Sequence, residues 1–116
     1  STSPPAWVTL VRERVDDHPA APHRVRDLAA AAGVHPVHLA REFRRAYGIT
    51  LSEYLQRRRI QAAAELLATT DEPLARVAAR AGFADQSHLG RHLRARAGCT
   101  PSQLRRLALP PMLQPF

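Results

Sequence analysis

The residues best equipped for chemistry fall late in the chain, in AGFADQSHLGRHLRARAGC at 81–99. His88 and His92 stand four apart, which puts two imidazoles on one helix face in the arrangement of a zinc pair. No third ligand follows with helical phasing, so no metal is expected. Cys99 is the only cysteine, which rules out an internal disulfide and a thiolate cage. No Ser/His/Asp set, phosphate-cradling glycine loop or carboxylate pair accompanies it. Neither a catalytic residue nor a cofactor is expected.

What recurs instead is arginine. All 17 basic residues are arginine, the net charge is +7 and the pI is near 11.3, a balance that favours a polyanionic partner. A coding bias toward Ala, Arg, Pro and Gly would give the same total, so the placement of the arginines matters more than their number. The guanidinium fork can donate two hydrogen bonds to O6 and N7 of guanine, or to phosphate, and it keeps its charge.

The elements that must position these side chains read as helices. No alternating β-branched run reaches strand length, and alanine, leucine and arginine dominate. Pro4 and Pro5 suit a first helical turn, and Trp7, Leu10, Val11 and Val15 form an apolar stripe that Pro19 ends. Val25 to Ala32 is a short helix stopped by Gly33, and His35-Pro36 opens another that runs to Tyr47 before Gly48. Here His35 reads as a helix-start residue and Trp7 as core. Thr50-x-x-Glu53 is a capping box for a long helix to about Thr69. Asp71-Glu72-Pro73 opens a helix that Gly82 stops, Asp85 caps one ended by Gly98, and Thr100-Pro101-Ser102-Gln103 repeats the box. Pro110 and Pro111 close this seventh helix, leaving a loose tail.

The chain repeats itself. Leu28, Ala29, Ala32 and Gly33 correspond to Val77, Ala78, Ala81 and Gly82. Leu39, Arg41, Phe43, Arg44, Gly48, Thr50 and Ser52 correspond to Leu89, Arg91, Leu93, Arg94, Gly98, Thr100 and Ser102, with one residue added in the second turn. Each copy is a short helix, a glycine turn and a longer helix, the helix-turn-helix pattern whose second helix enters a major groove. At about 100° per residue, Phe43, Ala46 and Tyr47 share the side of Leu39, while Val37, Arg41 and Arg44 lie opposite. In the second copy Leu89, Leu93, Arg96 and Ala97 take the first set, and Ser87, Arg91 and Arg94 the second. One arginine-rich helix face is usually just solvated; two in register point to a partner. Cys99 corresponds to Ile49, a packing position. Arg57, Arg58 and Arg59 wrap around the long helix and divide between phosphate and acids such as Glu53 or Glu65.

LARVAARAGFADQSHLGRHLRARAGCTPSQLRR closely resembles the second helix-turn-helix signature of the AraC/XylS family of bacterial transcription regulators, with its GF, QS-x-L, R-x-L, G-x-TPS and final Arg elements in place. VRDLAAAAGVHPVHLAREFRRAYGITLSEYLQRRRIQAAAELL resembles the first unit and linker helix, so the match covers about residues 22–107. The resemblance implies an all-α fold of seven helices, forming two helix-turn-helix subdomains joined by a long linker helix. One DNA-binding domain would span 1–116: a first subdomain at about 5–49, the linker at 50–69, a second subdomain at 70–109 and a tail at 110–116. It also implies base contacts from Val37, Ala40 and Arg41 in the first unit, and from Gln86, Ser87, His88, Gly90 and Arg91 in the second. Arg44, Arg45 and Arg94 would hold phosphates. Val37, Ala40 and Gly90 offer no side-chain hydrogen bond, so readout should rest on Arg41 and Arg91, with Gln86 able to pair with adenine.

About 18 residues of linker span about 27 Å, less than the roughly 34 Å turn of B-DNA, so bending of the site or tilting of the helices is expected. Arg41 and Arg91 should emerge on one side, about a duplex turn apart. The expected partner is double-stranded DNA at a promoter, bound to regulate transcription. Activation through RNA polymerase is the family expectation, and a sensing or dimerising domain outside these residues is a further expected partner. The alternative is a general nucleic-acid binder that uses charge alone. The few aromatics argue against single-strand binding. The chain also reads as one cooperative body, soluble and cytoplasmic, with no apolar run of membrane-spanning length.

Overall fold

Where each helix begins and ends follows from caps and glycines. The computed structural model describes residues 3–107 and contains α1 (Ala6–Asp17), α2 (Val25–Ala32), α3 (Pro36–Tyr47), α4 (Leu51–Thr69), α5 (Leu74–Ala81), α6 (Gln86–Ala97) and α7 (Pro101–Leu107). Among the described residues there is no strand, so the all-α expectation holds. The expected closure at Pro110 and Pro111, and the tail at 110–116, lie outside the described residues.

The chain divides into two compact units between Arg58 and Arg59, within α4. In the first unit Val8, Val11 and Val15 of α1, Leu28 and Ala29 of α2, Leu39 and Phe43 of α3, and Leu51 and Leu55 of α4 form a buried core, with Trp7 packed against it. Ala63 and Leu67 of α4, Val77, Ala78 and Ala81 of α5, Phe83, and Leu89 and Leu93 of α6 form the second, with Cys99 and Leu104 against its edge. Ile60, Ala63 and Leu67 repeat the spacing of Val8, Val11 and Val15. The later half of α4 therefore supplies to its unit the stripe that α1 supplies to the other.

Both helix-turn-helix turns need glycine. Gly33 and Gly82 hold φ of 74° and 95°, left-handed backbone that a Cβ disfavours. The following amides, Val34 and Phe83, reach back to the carbonyls of Ala29 and Ala78 at 3.0 and 2.9 Å, closing each helix end. The next helix is then started by a side chain: His35 Nδ1 accepts from the Val37 amide at 3.1 Å, and an Asp85 carboxylate oxygen accepts from the His88 amide at 2.7 Å. Thr50 Oγ1 accepts from the Glu53 amide at 3.0 Å. At α7 the box is reciprocal, the Gln103 amide donating to Thr100 Oγ1 at 3.1 Å and the Thr100 amide to Gln103 Oε1 at 2.9 Å.

Three readings of the sequence need correction. Pro4 and Pro5 precede α1 and do not form its first turn, since the helix begins at Ala6 with Pro5 as its cap. Leu10 is 63% exposed, and Val8 takes its place in the core. Arg96 and Ala97 are also exposed, although they sit on the side of Leu89. The corresponding Ala46 and Tyr47 are partly buried, because the Tyr47 ring lies 4.8 Å from Phe43 and Arg12 covers its face at 5.2 Å. Arg96 and Ala97 bring no ring to be covered.

An acid on α1 fastens the start of α4. The Tyr54 hydroxyl donates to Asp16, the Arg58 guanidinium pairs with the same carboxylate at 3.0 Å, and Arg12 approaches it at 3.8 Å. Burial, then the hydrogen bond to Asp16 and its negative charge, push the Tyr54 phenol up to about 12. Arg57 pairs with Glu53 at 3.3 Å, so two members of the arginine run meet acids, Glu53 and Asp16.

Candidate nucleic-acid interface

The side of α3 opposite Leu39 and Phe43 presents Val37, Ala40, Arg41, Arg44 and Arg45, all exposed, with Val37 at 57%. On α6, Gln86, Ser87, Arg91 and Arg94 are exposed, and His88 and Gly90 are half-buried. Gln86 and Ser87 occupy the first two helical positions after the Asp85 cap. Each unit thus brings its expected residues onto one helix.

The arginines differ in their electrostatic setting. Arg12, Arg26, Arg45, Arg57, Arg58, Arg76 and Arg80 each lie within 4.0 Å of a carboxylate. Among the described residues Arg41, Arg44, Arg91 and Arg94 have no such partner, so an approaching polyanion meets uncompensated charge at corresponding positions of both units. Arg45 is the exception among the expected phosphate contacts, sitting 3.8 Å from Glu42 while its own side chain stays 74% exposed. Among the described residues Arg14, Arg24 and Arg106 also lack a carboxylate neighbour, and they lie outside the two repeated faces. The distinguishing feature is the register.

A Cβ built on Gly90 would meet nothing within 4 Å. The glycine therefore only lowers helix propensity in the free protein. Gly90→Ala is expected to raise stability by about 0.5–1 kcal/mol in urea unfolding. The corresponding residue of α3 is already alanine, Ala40.

His88, His92 and Phe83 form an aromatic group under α6. The two imidazoles lie 4.6 Å apart edge to face, and Phe83 sits 5.4 Å from His88 and 5.7 Å from His92. No group of three or more metal-ligating side chains occurs among the described residues. Burial, then the charges of His88, Arg96 and Arg91, hold His92 below its ordinary 6.5. The unfolded chain thus takes up this proton more readily, and the contribution to stability is fully present above 6.5 and lost as pH falls through the lower, folded value. An NMR titration should find the His92 midpoint below 6.5, and an unshifted midpoint would contradict this packing.

Two groups of contacts carry no local signature in the sequence. Asp16 meets Tyr54 and Arg58 across 38 and 42 residues of chain, which no local spacing reveals. The His88 ring accepts, through Nδ1, the amide of Ala84 at 3.0 Å. Ala84 is the added residue of the second turn, and that mismatch between the repeats was the available clue.

These features define a tandem helix-turn-helix protein whose two longer helices each present unpaired arginine away from a closed core. Residues 28–107 match a family model described as a helix-turn-helix domain. Regulatory protein SoxS of Salmonella typhimurium is 34% identical over 84% of this chain and 90% of its own length. The C-terminal domain of AraT, a response regulator from Geobacillus stearothermophilus, superposes with a TM-score of 0.87 at 27% identity, covering 97% of this chain and 93% of that one. The DNA-binding domain of the global transcriptional factor AdpA, solved in complex with a target DNA, gives 0.82 at 30% identity over 90% of this chain and 93% of that one. The chain belongs to the AraC-type helix-turn-helix family of transcriptional regulators. It spans about half the length of some other curated relatives that it matches and about a third or less of others.

Among the described residues no helix is long and apolar enough to cross a membrane.

Proposed function

We propose that this chain binds double-stranded DNA at a specific site, with α3 and α6 each entering a major groove, and that it thereby activates transcription. The observation that carries the reading is the recurrence of exposed, unpaired Arg41/Arg44 and Arg91/Arg94 at matching positions on the outward faces of two helix-turn-helix units. Arg41 and Arg91 are the principal base readers, Gln86 and Ser87 assist, and Val37 and Ala40 touch thymine methyls. Arg44, Arg45 and Arg94 fix the register on phosphate. Arg45 retains its exposed charge beside Glu42, so it exchanges one anion for another on binding.

The relatives support this direction: SoxS is named a regulatory protein, AarP of Providencia stuartii a transcriptional activator, and AdpA was solved on DNA. Activation requires a contact with RNA polymerase in addition to DNA, and a sensing domain would supply regulation. The DNA repair activity named in AdaA of Bacillus subtilis is not part of the reading, because Cys99 packs against the core of the second unit. The protein would act in the cytoplasm, where the chromosome lies.

Selection from a random duplex library followed by competition decides the matter. The enriched site should outcompete unrelated duplex by about 10³-fold or more at moderate salt. A ratio near one would leave only a charge-driven nucleic-acid binder.

A further inference from the structure

We infer that His88 is a positioning residue that sets the angle of the α6 reading face, and that it does not read a base; the inference builds on the DNA-binding function proposed above. In a capping box the residue at the third helical position turns its side chain back to an amide preceding the helix, a role usually given to Glu or Gln. His88 holds that position in α6. Its own amide donates to Asp85 at 2.7 Å, and its Nδ1 accepts from the Ala84 amide at 3.0 Å, so two donors at the helix start are satisfied reciprocally.

The reason lies in the added residue. The turn of the first unit passes from Gly33 through Val34 to the cap His35, whereas the second passes from Gly82 through Phe83 and Ala84 to Asp85. One more residue brings one more amide that neither helix can satisfy. A ring at position 88 reaches it, and that ring is wedged 5.4 Å from Phe83 and 4.6 Å from His92, which leaves it little freedom to swing toward a groove. His38, the corresponding residue of α3, has no added amide to serve, and its ring instead lies 5.4 Å from Trp7.

An Nδ1 that accepts leaves the ring proton on Nε2. Gln86 and Ser87, the residues between the cap and His88, are thereby held in one direction. The effect on binding should be equal for every base at every position, because a shifted helix start degrades the whole approach.

Three variants separate positioning from reading. His88→Asn places an acceptor oxygen where Nδ1 stood, His88→Phe keeps the ring and removes the acceptor, and His88→Ala removes both. Hydrogen exchange at the Ala84 amide, measured on the protein alone, should speed up about three- to tenfold in the phenylalanine and alanine variants and stay within about twofold in the asparagine variant. Affinity for the selected duplex should follow the same order, with base preference unchanged at every position. The inference is overturned if exchange in His88→Phe equals wild type, or if all three variants, asparagine included, lose preference at one base pair. Should wild type itself select no sequence, the DNA reading fails while the exchange arm still decides the cap. Should His88→Ala not fold, the asparagine and phenylalanine pair carries the test.

Discussion

Arg91→Ala is expected to weaken binding to the preferred duplex by about 1–3 kcal/mol and to abolish preference at a single base pair. The guanidinium is exposed on α6, has no carboxylate within pairing distance among the described residues, and is preceded by a glycine at which an added Cβ would meet nothing within 4 Å. A bidentate contact to guanine loses both hydrogen bonds when the fork is removed, and no neighbour replaces them: Gly90 has no side chain, and the ring of His88 is held in the turn. Arg94→Ala supplies the contrast. A phosphate contact carries no sequence information, so its loss should weaken all duplexes alike and lower the salt slope by about one ion. Titrating each variant against a set of single-base substitutions at two salt concentrations separates the two roles. Uniform weakening by Arg91→Ala would remove it from the readers. Because Arg41 occupies the same position in the other unit, Arg41→Ala should relax a different base pair, in the other half of the site.

Most helix limits were legible because this chain marks them chemically. Gly33, Gly48, Gly82 and Gly98 each take left-handed backbone at a helix end, and Thr50, Asp85 and Thr100 each bond an amide at a helix start. The outward faces of α3 and α6 were legible for a different reason: two copies in register reveal a face that one copy leaves ambiguous. Structure and sequence pattern part where an apolar residue lies at the margin of a helix stripe or where partners lie far apart in sequence. Val8 and Val15 lie within about 60° of Val11, whereas Leu10 lies about 100° away, so the buried stripe of α1 runs through the valines. The correspondence with Ala46 and Tyr47 places the end of α6 in the core, yet burial there depends on an aromatic surface that Arg96 and Ala97 do not have. The Asp16 cluster depends on three-dimensional contact between α1 and α4, and sequence spacing holds no record of it.

Two separate cores also bear on folding, where composition alone favours a single cooperative body. Phe43→Ala is expected to cost about 3–5 kcal/mol, a large share of the roughly 5–15 kcal/mol that holds a typical domain. Phe43 is fully buried at the centre of the first core, 4.8 Å from Tyr47 and 5.5 Å from Tyr54, so truncation strips packing from α3 and from the start of α4 together. Residue 43 takes no part in the second core, where Ala63, Leu67, Leu89 and Leu93 close on one another. Hydrogen exchange should therefore show protection lost across α1, α2, α3 and the first half of α4, with the amides around Leu89 and Leu93 retained. The later half of α4 is too short to persist as an isolated helix in water, so its retention would show that burial of Ala63 and Leu67 holds it without help from the first unit. Equal loss of protection in both units would instead mean that the shared helix transmits unfolding from one core to the other. Under the first outcome, a variant with a melted first unit keeps Arg91 presented on a folded α6 and should bind single half-sites weakly, while Arg41 contributes only unspecific charge.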